Sequence, residues 1–264
     1  GELLLPSNYL ITPYQIGVLV SGGIEEVEVI AKPKVAIIPT GDELVQSGIP
    51  LPVGKNFETN SLVISSLVEE WGGEPIVYPI IPDDPHRLYD TVYHAVEKSD
   101  IIIFNAGSSK GTHDHTIPVL EKVGEILAYQ VAHGPGRPTS LAISNDKPIL
   151  GLVGPPMGAE LTARWYIRPL INKYLGQADI EPQKLKVELL DSVSSPVPFD
   201  FYTQLKIIQR EGKYVGMVLK SEDKSNRIKL AVEANAILHI PSGVEFKPGD
   251  EVEVELKIPK EYIL

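Results

Sequence analysis

Two loops of this 264-residue chain combine residue types that can bind a phosphate group and a divalent cation. Segment 39–44 places a glycine beside two adjacent carboxylates, Asp42 and Glu43. The glycine lets the backbone approach a ligand closely, although an acidic turn that caps a helix uses the same residue types. Segment 105–115 is rich in small residues, so its backbone amides and hydroxyls can converge on an anion. Within it, Asp114 is either a helix cap or a ligand of a magnesium ion that also contacts phosphate oxygens.

Three more loops present donors or carboxylates. The loop 133–138 surrounds Arg137 with glycines and prolines, and the guanidinium can offer a fork of donors to phosphate or molybdate. A rigid surface turn with a solvated arginine is the alternative. Segment 154–158 leads into a long helix, and helix starts favour anions, although taken alone its residues are better explained as a proline-rich helix start. In the Pro-Asp-Asp-Pro segment Asp84 is explained as a helix cap, which leaves Asp83 as the candidate cation ligand.

Several other kinds of site are disfavoured by the residues present. His113 and His115 are residues of the kind that bind zinc. However, no third nitrogen or sulfur ligand stands at a known spacing, and the chain has no cysteine. The sequence contains no G-x-S-x-G nucleophile motif, no P-loop and no Rossmann fingerprint.

The loops are predicted to follow strands that alternate with helices from 32 to 176. Continuous apolar runs are typical of buried parallel strands, and apolar residues at helical spacing predict the helices between them. The predicted strands are 35–38, 75–81, 101–104, 125–131 and 149–153, and the predicted helices are 60–71, one starting at 85, 115–123, and 158–175 with a kink at Arg168-Pro169. This alternation favours a mostly parallel sheet with helices on both faces, a class that binds ligands beyond the carboxyl ends of its strands.

The two ends of the chain differ from this central part. Residues 177–264 lose helical periodicity and contain five short strand candidates separated by turn sequences, which predicts a small all-β barrel or sandwich. Residues 1–31 form a lead-in segment from a preceding domain, and their short predicted helix must pack on other structure. We therefore expect three parts, a lead-in at 1–31, an α/β domain at 32–176 and a β domain at 177–264.

The composition is that of a globular protein, with 43% hydrophobic and 22% charged residues. No apolar run is long enough to span a bilayer, and no signal peptide is visible, so we expect a cytoplasmic protein without membrane contact. The net charge of −11 disfavours nucleic acid as a partner.

Taken in order, the loop motifs resemble those of the molybdopterin molybdenumtransferase family, which includes the bacterial MoeA proteins and the gephyrin E domain. The motifs are Thr40 to Leu44, Glu58-Thr59-Asn60, Pro82-Asp83-Asp84, Asn105 to Asp114, Pro135-Gly136-Arg137-Pro138 and Gly151 to Pro156. The likeness runs over nearly the entire chain and includes Ala234 to Ile237 and Pro248-Gly249-Asp250 in the β-rich part.

This resemblance implies a fold and an activity. The expected fold is a three-layer, MogA-like molybdopterin-binding α/β domain followed by the β domain. The expected reaction inserts molybdate into adenylylated molybdopterin and releases AMP, with Mg2+ as the divalent cation. Family members are usually homodimers in their full-length form.

The resemblance also assigns roles to individual residues. Asp42, Glu43 and Asp114 are the expected catalytic residues, and Asp83 and Asp114 the expected metal ligands. The residues expected to bind the pterin substrate and the oxyanion are Thr40, Gly41, Asn60, Gly107, Ser108, Ser109, Gly111, Pro135, Gly136, Arg137, Pro138 and Gly154.

Departures from the family pattern fall mainly at the molybdate end. The family commonly has a lysine at position 134 and a serine at position 158, where this chain has glycines, and Arg137 stands for a second lysine. These changes favour a second hypothesis, a non-catalytic relative that binds a pterin nucleotide or serves as an interaction module. A third hypothesis is a MogA-type adenylyltransferase, which shares the acidic positions Asp83 and Asp114 but usually lacks a C-terminal β domain.

Overall fold

A computed structural model of the chain describes residues 1–105, 116–179, 181–219 and 227–264. The first part of the chain alternates strands and helices. Its elements are α1 (Pro13–Ser21), β1 (Lys34–Pro39), β2 (Leu44–Val45), β3 (Asn56–Phe57), α2 (Asn60–Glu70), β4 (Glu74–Val77), α3 (Pro85–Lys98), β5 (Ile101–Asn105), α4 (Thr116–Val123), β6 (Glu125–Tyr129), β7 (His133–Gly134), β8 (Ser140–Ser144), β9 (Lys147–Leu152), α5 (Pro156–Thr162), a π-helical segment (Ala163–Ile167) and α6 (Arg168–Tyr174).

Six of these strands form the central sheet, in the order β4-β1-β5-β9-β8-β6. The first four are mutually parallel, whereas β8 and β6 are antiparallel to their neighbours. The predicted mostly parallel sheet is confirmed. The sequence-based prediction missed β8, and it made the strand at 75–81 too long, because regular pairing ends at Val77 and only an isolated bridge joins Ile81 to Thr40.

Helices cover both faces of this sheet, which gives three layers. On one face, α2 and the helix from α5 to α6 pack on side chains such as Ile37 and Leu150. On the other, α3 and α4 pack on Ile38 and Phe104. Strands β1 and β5 are apolar at successive positions because each of their side chains meets one of the two helical layers.

Local sequence signals set the ends of the helices around the sheet. The Asp84 carboxylate accepts hydrogen bonds from the backbone amides of His86 and Arg87, so it caps α3 as predicted. The long helix starts at Pro156 rather than at 158, and its predicted kink takes the form of the π-helical segment just before Pro169. Proline has no amide to donate to the preceding turn, which accounts for the irregularity there.

The remainder of the chain is a closed barrel. Its elements are β10 (Lys184–Leu189), β11 (Val193–Ser194), β12 (Asp200–Arg210), β13 (Lys213–Val218), α7 (Arg227–Glu233), β14 (Ala236–Ile240), β15 (Glu245–Phe246), β16 (Glu251–Leu256) and a 3₁₀ turn (Lys260–Tyr262). Five strands follow the order β13-β10-β16-β14-β12, and β12 pairs back onto β13. The structure thus has a barrel rather than a sandwich, and α7 was not expected from the sequence.

Backbone pairing and an ion pair are among the contacts that attach this barrel to the α/β part. Strand β7 pairs in parallel with β12, so a loop of the α/β part extends the barrel sheet. Lys257, just after β16, lies 3.2 Å from the Glu160 carboxylate of α5, which also pairs with Arg164 at 3.3 Å. The side chains of Lys257 and Glu160 are 12% and 16% exposed, so this junction is largely shielded from water.

The lead-in segment lies at the surface. Helix α1 has the predicted start, with Pro13 in its first turn and the Gln15 side chain accepting a hydrogen bond from the Thr12 amide. Apolar side chains such as Tyr14, Ile16 and Val20 are exposed. No helix in the described ranges is long and apolar enough to cross a membrane.

Candidate functional site

The loops after β1 and β4 meet through a reciprocal pair of aspartates. The backbone amide of Asp42 donates to Asp83 Oδ2 at 3.3 Å, and that of Asp83 donates to Asp42 Oδ1 at 3.2 Å. The Thr40 hydroxyl donates to Asp83 Oδ1 at 3.4 Å. The Lys55 ammonium group donates to the main-chain oxygen of Asp42 at 2.6 Å. The structure therefore brings together two carboxylates that are 41 residues apart in the sequence.

Gly41 makes this arrangement possible. Its φ of +151° is one that side chains with a Cβ rarely adopt, and a Cβ there would lie 2.8 Å from Glu43 Oε2. The Glu43 carboxylate thus folds back against Gly41, whereas Asp42 and Asp83 share the reciprocal hydrogen bonds.

A buried amide network stands next to the aspartates and joins four segments. Asn60 Nδ2, at the start of α2, donates to Asn105 Oδ1 and to the Gly154 carbonyl oxygen, each at 2.8 Å. Asn105 Nδ2 donates to the Val153 carbonyl oxygen at 2.7 Å, and the Asn105 carbonyl accepts from the Thr40 amide at 3.1 Å. Asn105 therefore connects the predicted residues Thr40 and Asn60, and Asn60 in turn donates to the carbonyl oxygen of Gly154. Sequence reasoning did not select Asn105 as a site residue, although its place at the carboxyl end of β5 could have indicated it.

The predicted phosphate loop cannot be placed in this arrangement. Residues 106–115 lie outside the described ranges, and with them Gly107, Ser108, Ser109, Gly111 and Asp114. Strand β5 ends at Asn105, which is itself part of the amide network.

Asp42 and Asp83 offer the oxygen ligands that magnesium prefers, together with bound phosphate and water. Within the described ranges, no group of three or more histidine, cysteine, aspartate or glutamate residues is arranged to hold a metal ion. This part of the chain therefore does not bring three such side chains together around one metal ion, but the carboxylates of Asp42 and Asp83 are of the kind that Mg2+ binds together with phosphate oxygens and water.

The loop 133–138 is held by close backbone packing. A Cβ at Gly136, whose φ is +107°, would lie 2.6 Å from Thr162 Cγ2. A Cβ at Gly158 would lie 2.7 Å from Val153 Cγ2 and 3.3 Å from the Gly136 amide nitrogen. The loop therefore rests on the first turns of α5, and a serine at 158 would collide with its surroundings.

Phenylalanine rings occupy the space around Gly134. A Cβ at this position would lie 2.9 Å from Phe201 Cδ2 and 3.2 Å from Phe199 Cε2. A lysine at 134 therefore has no room without displacement of these rings. Gly134 and Pro135 are joined by a cis peptide bond.

Arg137 is the cation of this loop. Its guanidinium carbon lies 4.8 Å from the centre of the Phe199 ring, and its side chain is exposed. Sequence reasoning missed Phe199, because nothing in the local pattern links it to a loop more than 60 residues earlier.

An aromatic cluster lies behind the loop, where β7 meets β12. His133 Nε2 lies 2.8 Å from the Tyr166 hydroxyl, and Trp165 and Tyr202 pack against the His133 ring. Burial lowers the pKa of His133, which favours its neutral form. Burial likewise raises the pKa of Tyr166 and of Tyr202, so both phenols stay protonated.

A second histidine caps this cluster on the solvent side. The His239 ring stacks on Tyr202, and its Nε2 lies 2.8 Å from the Asp200 carboxylate. Hydrogen bonds from the Ser242 amide and from His239 hold the pKa of Asp200 below its ordinary value.

These features place carboxylates and an arginine loop beyond the carboxyl ends of the strands of an α/β domain, which is where domains of this class bind small ligands. Residues 36–173 match the family described as "Probable molybdopterin binding domain". The match covers more than half of the chain, and the chain belongs to this family.

Individual relatives agree with this assignment. The molybdopterin molybdenumtransferase of Nostoc sp. is 31% identical over 265 aligned positions, which cover 98% of this chain and 61% of the relative. That of Staphylococcus aureus strain Mu50 is 31% identical and covers 97% of this chain and 61% of the relative. The crystal structure of a molybdopterin biosynthesis MoeA protein from Pyrococcus horikosii superposes with a TM-score of 0.82 at 28% identity, over 98% of this chain and 63% of that one.

These matches confirm the resemblance and the fold class predicted from the loop motifs. The chain spans about three-fifths of the length of the relatives that it matches.

Proposed function

We propose that this chain carries the substrate-binding part of a molybdopterin molybdenumtransferase, which inserts molybdate into adenylylated molybdopterin and releases AMP. The Asp42–Asp83 pair beside the Asn60–Asn105 network is the observation that carries the proposal, since it places carboxylates at the ligand-binding edge of a molybdopterin-binding domain. The names of the relatives point to the same reaction.

In this proposal the aspartates work at the phosphate end of the substrate. Asp42 and Asp83 would hold Mg2+ together with phosphate oxygens, and Asp114 would join them from the neighbouring loop. The cation would offset negative charge on the phosphate that leaves with AMP. Lys55, whose ammonium group donates to the main-chain oxygen of Asp42, would help to hold this loop in place. Glu43, whose carboxylate folds back on Gly41, would act with Asp42 as a catalytic residue of the same loop.

The remaining predicted residues would orient the substrates. Thr40, Gly41, Asn60 and Gly154 would shape the pterin side, with Gly107, Ser108, Ser109 and Gly111 binding phosphate. The loop formed by Pro135, Gly136, Arg137 and Pro138 would bind molybdate through Arg137, the charged residue of this loop. Catalysis would rest mainly on positioning and on electrostatic stabilisation of the leaving group.

The same proposal includes the organisation of the protein. Residues 32–176 would be the molybdopterin-binding domain, 177–264 the C-terminal β domain, and 1–31 a segment that packs on a preceding domain. The exposed apolar side chains of α1 support such packing. We further propose a cytoplasmic homodimer. The barrel speaks against the MogA-type alternative, whose members are usually a single domain.

The test is AMP release by the full-length protein, supplied with adenylylated molybdopterin and magnesium, with and without molybdate. We expect release to depend on molybdate and to fall on the order of 100-fold in Asp83→Asn and in Asp42→Asn. Asp84→Asn is the matched control, because it changes the same charge one residue away while asparagine still caps α3.

Two outcomes would contradict the proposal. AMP release that is equal with and without molybdate would exclude molybdate insertion. Tight binding of the pterin nucleotide without AMP release would favour the non-catalytic binding module.

A further inference from the structure

Arg137 is held at its backbone from both sides. The Val131 amide donates to the Arg137 carbonyl oxygen at 2.9 Å, and the Thr139 amide donates to that of Gly136, also at 2.9 Å. Gly136 itself rests on Thr162 and on Gly158 of α5. The Cα atom of Arg137 is therefore fixed, whereas its long side chain has freedom of its own.

Within the described ranges, no carboxylate lies within ion-pair distance of the Arg137 guanidinium. The contact that defines the direction of this side chain is the face of Phe199, 4.8 Å away. An arginine that stacks on a ring keeps its N–H groups at the ring edge available for an oxyanion.

Phe199 is a residue of the barrel part and is itself held in place. The Ser195 hydroxyl lies 2.9 Å from the Phe199 carbonyl oxygen, and the amide of Val197 donates back to Ser195 Oγ at 3.3 Å. Strand β12 begins at the next residue and pairs with β7, so Phe199 is fixed relative to the loop that carries Arg137.

Gly134 lies in the loop that carries Arg137 and packs against the ring of Phe199. Because the Phe199 and Phe201 rings fill the space beside it, the position where the family resemblance predicts a lysine has no room for one here. The same ring that excludes a cation at 134 supports the guanidinium of Arg137.

We propose that Phe199 is a positioning residue that orients Arg137 toward a tetrahedral oxyanion, so that the barrel sets the affinity for molybdate without contacting the pterin. This inference rests on the proposed function.

The experiment compares wild type, Phe199→Leu and Phe199→Tyr. Loss of an exposed cation–π contact is expected to raise the KM for molybdate about 2- to 5-fold, with unchanged kcat and unchanged KM for the pterin substrate. Tyrosine keeps the ring and should restore the wild-type value. Tyr214→Leu is the matched control, since it removes another cation–π pair of the barrel, with Lys260 at 5.0 Å, and should leave the KM for molybdate unchanged.

Calorimetric titration with tungstate alone, a tetrahedral oxyanion of the same charge, separates this inference from the proposed function. If the protein releases no AMP but binds tungstate, and Phe199→Leu weakens that binding, the proposed reaction fails and the role of Phe199 stands. An unchanged KM for molybdate and an unchanged affinity for tungstate in Phe199→Leu would overturn the inference. It would also be overturned if kcat and the pterin KM changed along with the molybdate KM, or if wild type bound no oxyanion at all.

Discussion

Two loop regions at the same edge of the sheet are built by different means. The polar region, made of Thr40, Asp42, Asn60, Asp83 and Asn105, is held together by side-chain hydrogen bonds between segments. The packed region, at 133–138, is held by glycine backbone against helix α5 and against phenylalanine rings. The geometry of the polar region thus depends on hydrogen-bonding side chains, whereas that of the packed region depends on glycines, which have no side chain.

Segment 153–158 links the two regions, which lets each be perturbed separately. The carbonyl oxygens of Val153 and Gly154 accept hydrogen bonds from the polar region, and Gly158 supports the packed one. A change at either end can therefore be tested for its effect at the other.

The largest loss of stability is expected for Asn105→Ala. It leaves the Val153 carbonyl oxygen without its buried partner, removes one acceptor of Asn60 and opens a small cavity, so the free energy of unfolding should fall on the order of 3 kcal/mol. Urea denaturation measures this. Asn105→Leu, with similar volume and no polar groups, separates the lost hydrogen bonds from the cavity. An alanine variant as stable as wild type would show that the network does not hold the polar region together.

Gly158→Ser should be the next most disruptive change, although the family resemblance predicts a serine at this position. The added Cβ meets Val153 Cγ2 at 2.7 Å, and we expect a loss of about 2 kcal/mol and a displaced 133–138 loop. Gly17→Ser is the control, because it is also helical and has nothing within 4 Å of its Cβ. Equal stabilities of the two serine variants would contradict the close packing.

Asp84→Ala should cost about 1 kcal/mol, because it removes the N-cap of α3. Molybdate-dependent AMP release should nevertheless persist, since Asp84 takes no part in the Asp42–Asp83 pair. The two assays together test whether adjacent aspartates divide the work between capping and ligand binding. A loss of activity as large as that of Asp83→Asn would remove this distinction.

The smallest effect is expected in the pH dependence of stability through His133. Burial lowers its pKa, so the unfolded chain binds the proton more readily, and stability should fall as the pH drops through the ordinary histidine pKa of about 6.5. Lowering the pH from about 7.5 to 5.5 should therefore reduce the free energy of unfolding of wild type more than that of His133→Gln. Thermal denaturation of both proteins over this range provides the measurement, and parallel curves would speak against a buried neutral imidazole.

Much of the fold could be predicted from local pattern. The runs at 35–38 and 101–104 predict buried strands because both of their faces meet helices, and Asp84-Pro85 predicts the start of α3 because its residues satisfy the first free amides. Strand β8 escaped prediction because its five residues carry no long apolar run and pair with the edge strand β6. Helix α7 is only seven residues long, which is too short for periodicity to identify.

The site was predictable as a set of loops but not as a geometry. Asp42 and Asp83 were both selected from the sequence, yet nothing in either loop shows that each amide donates to the other carboxylate. Glu43 was grouped with Asp42 because the two are adjacent, and the structure turns its carboxylate back toward Gly41. At a turn with positive φ, the fact that two carboxylates are adjacent in the sequence does not predict the direction in which each side chain points.

The sequence by itself determined the alternation of strands and helices, the helix caps, the change to β structure after 176 and the order of the loop motifs, since each depends on neighbours within about a dozen residues. Only the tertiary structure decided that the barrel closes, that Asn105 joins four segments and that Phe199 lies under Arg137. These features depend on strand order and on contacts between distant segments, which local periodicity does not encode. Gly134 and Gly158 illustrate this limit of local sequence. In the sequence they stand where the family resemblance predicts side chains that bind molybdate, whereas in the structure they are positions where neighbouring groups leave no room for a side chain.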